Sequence, residues 1–198
     1  DYFSPNEKNR LSIFASAANT DRDSYYGPGN DPLKAYGKTT DLIAMGGAQY
    51  VHTFDKCLFM PSDLTAGLEY NRDRLKDNMW GYDRHTDQTV NIYSAFLQNE
   101  WKNERWSILV GGRLDKHNMV DNIIFSPRAN LRFNPTQNIN LRLSYSSGFR
   151  APQAFDEDMH IENVGGTVAM IERTKNLKEE KSQSLSTSVD FYHRFKNG

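Results

Sequence analysis

The sequence has one cysteine, Cys57, and no continuous run of about 18 apolar residues, the length that a transmembrane helix needs. A single thiol cannot form an internal disulfide framework or a cysteine-built metal site, because both need several thiolates. An excess of basic charge is also missing, since the 198 residues have a net charge of -1. A nucleic-acid partner is therefore not expected, because nucleic-acid-binding domains are typically strongly basic.

Motifs of catalysis are missing as well. The chain contains no nucleophile beside a base, no Walker or dinucleotide-binding fingerprint and no zinc-ligand spacing. We therefore expect no enzymatic activity, no catalytic residues, no cofactor and no metal site. The first residues, Asp1, Tyr2 and Phe3, include neither an initiator methionine nor a signal peptide, which predicts a processed or excised piece of a longer protein.

What the chain does contain is a repeated alternation of apolar and polar residues. Side chains at successive strand positions point to opposite faces, so this alternation predicts strands with one apolar and one polar face. The clearest example sets Ile139, Leu141, Leu143 and Tyr145 against Asn138, Asn140, Arg142 and Ser144. Similar patterns lie near residues 11–18, 63–70, 106–115, 125–133 and 184–191, with less regular ones at 39–54 and 88–102. About eight strands are predicted.

The connections between these strands are alternately short and long. Short links are predicted at 55–60, 103–104 and 134–137, and longer excursions at 25–37, 77–87, 116–122 and 147–180. Outer-membrane barrels have short turns at one end and longer loops at the other. The pattern therefore predicts an all-β, antiparallel up-and-down meander that is part of a large transmembrane β-barrel. Within the last excursion we expect a short helix at 151–159 and a hairpin tip at Gly165 and Gly166. The mean hydropathy of -0.74 agrees with this, because water-facing residues lower the average.

Several motifs resemble TonB-dependent outer-membrane receptors. The run Ser147, Gly148, Phe149, Arg150, Ala151, Pro152 is similar to the Gly-aromatic-Arg-Ala-Pro signature of that family. The run Asn176, Leu177, Lys178, Glu179, Glu180 is similar to its Asn-Leu-Lys-Pro-Glu element, with Glu179 where many members have proline. Residues 98–101, 111–115 and 126–145 resemble further family strands, in matching order and spacing.

The resemblance implies a barrel of about 22 strands closed around a plug. Residues 1–198 would then be a partial barrel of about eight strands, without the plug or the terminal strands. The implied function is import of a scarce solute, such as a siderophore, haem or vitamin B12, across the outer membrane of a Gram-negative bacterium. The implied partners are the plug domain of the same receptor, TonB through a segment not in this chain, outer-membrane lipid and the small solute. A passive porin or adhesion barrel and a soluble β-sandwich binding module remain alternatives.

Two groups of residues are candidates for function. Four arginines on the polar strand faces are predicted to line the lumen, mainly as structural residues paired with Glu69, Glu100, Asp115 and Asp190: Arg113, Arg128, Arg132 and Arg142. Five residues of the last excursion are predicted to contact the ligand: Phe149, Arg150, Asp156, Met159 and His160. The cluster from Asp156 to His160 lacks the spacing of a cation loop, so we interpret it as a solvated acidic loop, and His117 with Met119 is treated in the same way.

Overall fold

Antiparallel strands fill almost all of the chain that the structure describes. A computed structural model describes residues 1–25, 36–80, 84–154, 162–164, 167–169 and 178–192. Its strands are β1 (Tyr2–Phe3), β2 (Asn9–Tyr25), β3 (Tyr36–Cys57), β4 (Met60–Met79), β5 (Arg84–Lys102), β6 (Trp106–His117), β7 (Ile124–Thr136), β8 (Ile139–Arg150), β9 (Glu162–Val164), β10 (Thr167–Ala169) and β11 (Glu180–Phe191).

The strands pair in chain order. One sheet runs β1-β2-β3-β4-β5-β6-β7-β8-β11, with every neighbouring pair antiparallel, while β9 and β10 form a separate antiparallel pair. The eight long strands, β2 to β8 and β11, confirm the predicted meander. β9 and β10 flank residues 165–166, where the sequence predicts a hairpin tip. Within the described ranges the sheet is open, because β1 and β11 are its two edges.

The register places the apolar residues of all long strands on one face, which we call the apolar face. One row crosses six strands through Ile13, Ala48, Leu68, Ala95, Leu114 and Phe125. Ile13 is 74% exposed and Leu68 66% exposed, so no described part of the chain covers this face. A soluble β-sandwich would bury such rows between two sheets. That alternative is therefore wrong for the described residues, and the opposite side of the sheet is the polar face.

Aromatic side chains border the apolar face at both ends. Tyr70 and Tyr93 are neighbours across β4 and β5, with ring centroids 4.9 Å apart, and we call them the tyrosine row. At the end with short turns, Trp106 stacks on Phe133 with centroids 4.0 Å apart. From Tyr93 to Trp101 the band measures about 27 Å along the strand, at about 3.4 Å per residue. Aromatic girdles on either side of an apolar band are typical of membrane barrels.

None of the described residues belongs to a helix that is long and apolar enough to cross a membrane. The predicted helix at 151–159 is wrong for residues 151–154, which form no helix, and the remainder of that range lies outside the described residues. The cause is local, because the Gln153 side chain and the Ala154 backbone hydrogen-bond to His117 and Gln88 of the sheet, while the Gln153 N–H closes a tight turn onto the Ala151 carbonyl.

The predicted excursion at 77–87 is also wrong for most of its length. β4 continues to Met79 and β5 begins at Arg84, so the connection is far shorter. Beyond the tyrosine row, the apolar face of β4 carries Arg72, Arg74 and Lys76 in place of apolar residues. Hydrophobic alternation therefore stops there, whereas backbone pairing continues. The alternation of apolar and polar residues depends on what each face of the strand contacts. The end of the strand depends on the backbone hydrogen bonds.

Two glycines on the polar face differ in the space available for a side chain. A Cβ added at Gly111 would lie 2.5 Å from Gln98 Cβ and 2.9 Å from the carbonyl oxygen of Leu97. At Gly148 the nearest atom would be Ser182 Oγ, at an ordinary 3.4 Å. We expect Gly111→Ala to lower the free energy of unfolding of the full-length protein by about 1–3 kcal/mol, because overpacking forces the strands apart. Gly148→Ala, the matched control, should change it by less than about 0.5 kcal/mol.

The measurement is urea unfolding of the full-length protein in lipid vesicles, followed by tryptophan fluorescence. Equal free energies for Gly111→Ala and Gly148→Ala would contradict the close approach of β5 and β6.

Candidate functional site

The four predicted lumen arginines lie together on the polar face. Arg113 is on β6, Arg128 and Arg132 are on β7, and Arg142 is on β8. Each occupies a strand position alternate to the apolar rows, so the pleat directs its side chain to the opposite side of the sheet from Leu131 and Leu143.

Arg113 is neutralised within the sheet. Its guanidinium donates to Glu69 on β4 over 2.5 Å and to Asp115 over 2.8 Å. The Asp115 carboxylate, whose side chain is 5% exposed, also accepts a hydrogen bond of 2.6 Å from the Ser94 hydroxyl. A buried carboxylate needs such partners, because leaving it without them costs several kcal/mol, about 3–5 where a buried pair is broken. The group joins β4, β5 and β6 across the polar face.

Arg142 is the second arginine with an acidic partner. It lies 3.3 Å from the Asp190 carboxylate on β11 and donates to the Asn140 side-chain oxygen over 2.9 Å. The predicted pairing of arginines with Glu69, Asp115 and Asp190 is therefore confirmed. It is wrong for Glu100, which accepts a 2.6 Å hydrogen bond from the Ser107 hydroxyl instead.

Arg128 and Arg132 are not neutralised by the part of the chain that the structure describes. Neither makes an ion pair there, and the buried Arg132 Nε has no hydrogen-bond acceptor. Arg132 also lies directly opposite Arg142 in the pairing of β7 with β8. Like charges at directly opposed positions destabilise a sheet. This region of the polar face therefore carries positive charge that the described residues leave unbalanced.

A shallow recess of about 420 Å³ lies on the same face. Its lining on the polar side includes Gln49, Glu69, Phe96, Gln98, Arg113 and Arg128. Phe96 is the apolar exception in its strand, and it covers the backbone of Gly67, where an added Cβ would lie 2.3 Å from the ring. The recess thus offers polar and cationic groups around one aromatic ring, a surface suited to a polar protein segment or an anionic molecule.

The residues that follow β8 fold across the polar face at the end with long connections. Gln88 on β5 donates to the Ala154 carbonyl over 3.0 Å and accepts from the Ala154 N–H over 2.9 Å. Val120, Ile124 and Ala151 pack together beside this contact as a small buried cluster. These interactions fix residues 151–154 to the sheet, and we call them the loop clamp.

His117 belongs to the same clamp. The ring is fully buried, and its Nδ1 accepts the Met119 N–H over 3.0 Å. The proton of the neutral ring is therefore on Nε2, which donates to the Gln153 side-chain oxygen over 3.0 Å. Both ring nitrogens are occupied, which favours a structural role over metal binding. No group of three metal-competent residues occurs in the described ranges.

The predicted ligand-contacting residues divide into three cases. Phe149 packs partly buried against the cluster of the loop clamp, where it supports the start of the loop. Arg150 is exposed at the end of β8 on the polar face, opposite Glu180 in the register. The remaining three lie outside the described residues: Asp156, Met159 and His160.

Sequence reasoning missed Gln88, Gln153 and Asp73, which carry the polar contacts of the clamp. Gln153 lies 3.5 Å from the Asp73 carboxylate, and the two are 80 positions apart in sequence. A glutamine within a strand has no spacing or composition that marks it as a long-range partner. The one available signal was Pro152, since proline ends a strand and places a turn there.

A sequence model of the family described as "TonB dependent receptor-like, beta-barrel" matches residues 2–198. No curated protein matches the sequence.

Among solved structures, the siderophore receptor PirA from Acinetobacter baumannii superposes with a TM-score of 0.67 at 18% identity, and covers 93% of this chain. PirA from Pseudomonas aeruginosa gives 0.63 at 12% identity over 94% of the chain. A ferric enterobactin receptor, PfeA, from Pseudomonas aeruginosa gives 0.65 at 19% identity over 93%. The chain spans only 30%, 38% and 30% of these three structures. At such identities the likeness shows the fold.

The loop clamp makes a testable prediction. Gln88→Leu keeps the size of the side chain but removes both hydrogen bonds to Ala154. We expect the amide hydrogen of Ala154 to exchange at least about tenfold faster, since the lost bonds contribute about 1–3 kcal/mol and about 1.4 kcal/mol corresponds to a factor of ten. Thr89→Val, on the opposite face of β5, is the control and should leave this rate unchanged. Hydrogen exchange with mass spectrometry of the full-length protein measures it, and an unchanged rate in Gln88→Leu would contradict the clamp.

Proposed function

Because the chain belongs to the TonB-dependent receptor β-barrel family, we propose that it forms about eight strands of the barrel of an outer-membrane receptor that imports a scarce solute. Members of this family are transport receptors of the outer membrane of Gram-negative bacteria. The observation that carries the proposal is the division of one sheet into an exposed apolar face and a polar face with unbalanced arginines. Membership of the family also separates this proposal from the passive porin or adhesion alternative.

The apolar face supports contact with lipid. Its residues are exposed in the chain as described, and aromatic rings border it at both ends. Lipid cannot satisfy the backbone groups of an open sheet, so β1 and β11 need further strands of the same barrel as neighbours. Those strands complete the closed wall that the family's architecture implies.

The polar face supports contact with a plug domain of the same receptor. Arg128 and Arg132 find no acidic partner in the described residues, and the buried Arg132 Nε has no acceptor. Carboxylates or backbone carbonyls of a plug would supply both. Such an interface leaves the wall rigid, while TonB, acting through a segment not in this chain, moves the plug and opens the path for the solute.

The solute itself is proposed from the loop end. The solved structures of similar fold include receptors for siderophores and for ferric enterobactin. A ferric siderophore is therefore the first solute to test, with haem and vitamin B12 next. Arg150, exposed beside the loop clamp, is the contact proposed from the described residues, and Phe149 holds the loop in place. Asp156, Met159 and His160 remain proposed contacts in the loop.

Lipid contact is tested by placing a charge in the middle of the apolar band. Leu97, midway between Tyr93 and Trp101, is 56% exposed. We expect Leu97→Arg to lower the free energy of unfolding in lipid vesicles by about 2–4 kcal/mol, the cost of arginine at the bilayer midplane. Ser186→Arg, on the exposed polar face of β11, is the control and should cost under about 1 kcal/mol. Equal losses of unfolding free energy in Leu97→Arg and Ser186→Arg would contradict the proposed lipid contact. So would a full-length protein that is folded and monomeric without detergent.

Solute import is tested in a Gram-negative host that lacks its own siderophore receptors. The host expresses the full-length protein, and uptake of radioactive iron from ferric enterobactin, an anionic chelate, is measured with and without TonB. We expect uptake only with TonB. Arg150→Ala should raise the half-saturating concentration about tenfold, because a hydrogen bond to a charged group contributes about 1.5 kcal/mol.

The control for this assay is Arg105→Ala, in the short turn at the opposite end of the sheet. It should transport like the unaltered protein. TonB-independent uptake would instead support the passive alternative, and failure to take up any ferric siderophore, haem or vitamin B12 would contradict the proposed import.

A further inference from the structure

Beyond the tyrosine row, the apolar face carries basic residues in place of apolar ones. The side chains of β4 that share a face with Leu68 and Tyr70 continue with Arg72, Arg74 and Lys76. Positions two apart are separated by about 7 Å along a strand. Three cations thus follow the tyrosine row in sequence, on the side of the sheet that the proposed function turns toward lipid.

Two of these cations have no partner among the described residues. Arg72 and Arg74 are exposed, and neither makes an ion pair or a hydrogen bond there. Lys76, by contrast, lies 3.5 Å from the Asp87 carboxylate. Lys116, at the same end of the apolar face on β6, donates to the carbonyl oxygens of Val120 and Asp121.

The neighbours of the two arginines in the register carry no charge. Arg72 lies between Ala44 on β3 and Asn91 on β5. Arg74 lies between Leu42 and Thr89. The acidic residues of this face, Asp21, Asp23 and Asp87, occupy rows farther from the tyrosine row. The positive charge next to the apolar band is therefore unopposed within the described sheet.

We propose that Arg72 and Arg74 form a binding site for the phosphate groups of a phosphorylated lipid in the outer leaflet. This inference rests on the proposed membrane position. Tyrosines of a girdle lie at the level of the lipid head groups, so the next residues outward meet those head groups. Guanidinium groups bind phosphate through paired hydrogen bonds, and the arginine stems reach along an apolar surface while the charge stays at its edge.

An acidic segment of another protein would need to reach the same level, where Asn91 and Thr89 are the uncharged polar neighbours and the rest of the surrounding surface is Tyr70, Ala44 and Leu42. Such a surface suits acyl chains below a head group better than it suits a polar peptide. The continuity of the arginine pair with the apolar band therefore selects a lipid as the occupant.

The test is native mass spectrometry of the full-length protein in detergent, titrated with diphosphoryl lipid A and with the same lipid after enzymatic removal of its phosphates. We expect Arg72→Gln/Arg74→Gln to weaken binding of the phosphorylated lipid about 30-fold, since each basic residue near a charged lipid surface contributes about 1 kcal/mol and 1.4 kcal/mol is a factor of ten. Dephosphorylated lipid should bind the unaltered protein about as weakly. Arg72→Lys/Arg74→Lys, which keeps both charges but loses the paired hydrogen bonds, should weaken binding of the phosphorylated lipid, though less than Arg72→Gln/Arg74→Gln does.

The matched control is Lys56→Gln/Arg105→Gln, which removes two exposed charges near the short turns. It should bind phosphorylated lipid normally. Heat-dependent mobility on gels shows that each variant is folded. Unchanged binding in Arg72→Gln/Arg74→Gln, equal loss in the control, or no preference for phosphorylated lipid would overturn the lipid site. Solute uptake that persists alongside any of these results leaves the proposed function intact, whereas absent uptake with specific lipid binding would reject the proposed function alone.

Discussion

The register of the antiparallel ladder is the constraint on which the other features of this molecule depend. A slip of one residue between two strands would move a whole apolar row to the polar face. From β2 to β11 the pairing continues without such a slip through the part of the sheet that carries the apolar band. The two irregularities, between Phe54 and Cys57 and between Phe133 and Thr136, both lie beside short turns. The irregular pairing is thus confined to one end, and the faces stay separate.

Separation of the faces determines where charge can be placed. The arginines of the polar face share a surface with Glu69, Asp115 and Asp190, so part of their charge is balanced within the sheet. Arg113 has two carboxylate partners, whereas between β7 and β8 Arg132 has none among the described residues and lies opposite Arg142. An isolated sheet would gain nothing from this repulsion. Under the proposed function, acidic or carbonyl groups of the plug would contact Arg132 and remove this repulsion. The charges would then stabilise the barrel with its plug more than the barrel without it.

The fold could be predicted from the sequence wherever the two faces of a strand carry side chains of different polarity. Alternation identified the eight long strands and the shared face of Arg113, Arg128, Arg132 and Arg142, because lipid-facing and water-facing positions differ in chemistry. It failed at residues 77–87, where most side chains on both faces are polar, and where backbone pairing and polar contacts such as Arg84–Asp77 hold the strands together. The loop clamp could not be predicted for a related reason. Gln88 and Ala154 are 66 positions apart, and their contact depends on the path of the chain after β8.

The two ends of the sheet differ in how far the strands extend. At one end the turns are short, while at the other β3, β4 and β5 continue past the last paired residues of β6. The projecting strands make the wall taller on that side, and Gln88, Asp73 and His117 attach the start of the loop to it. Residues 151–154 therefore lie over the polar face and not outside the sheet. The start of the loop therefore lies on the same face of the sheet as the arginines of β6, β7 and β8.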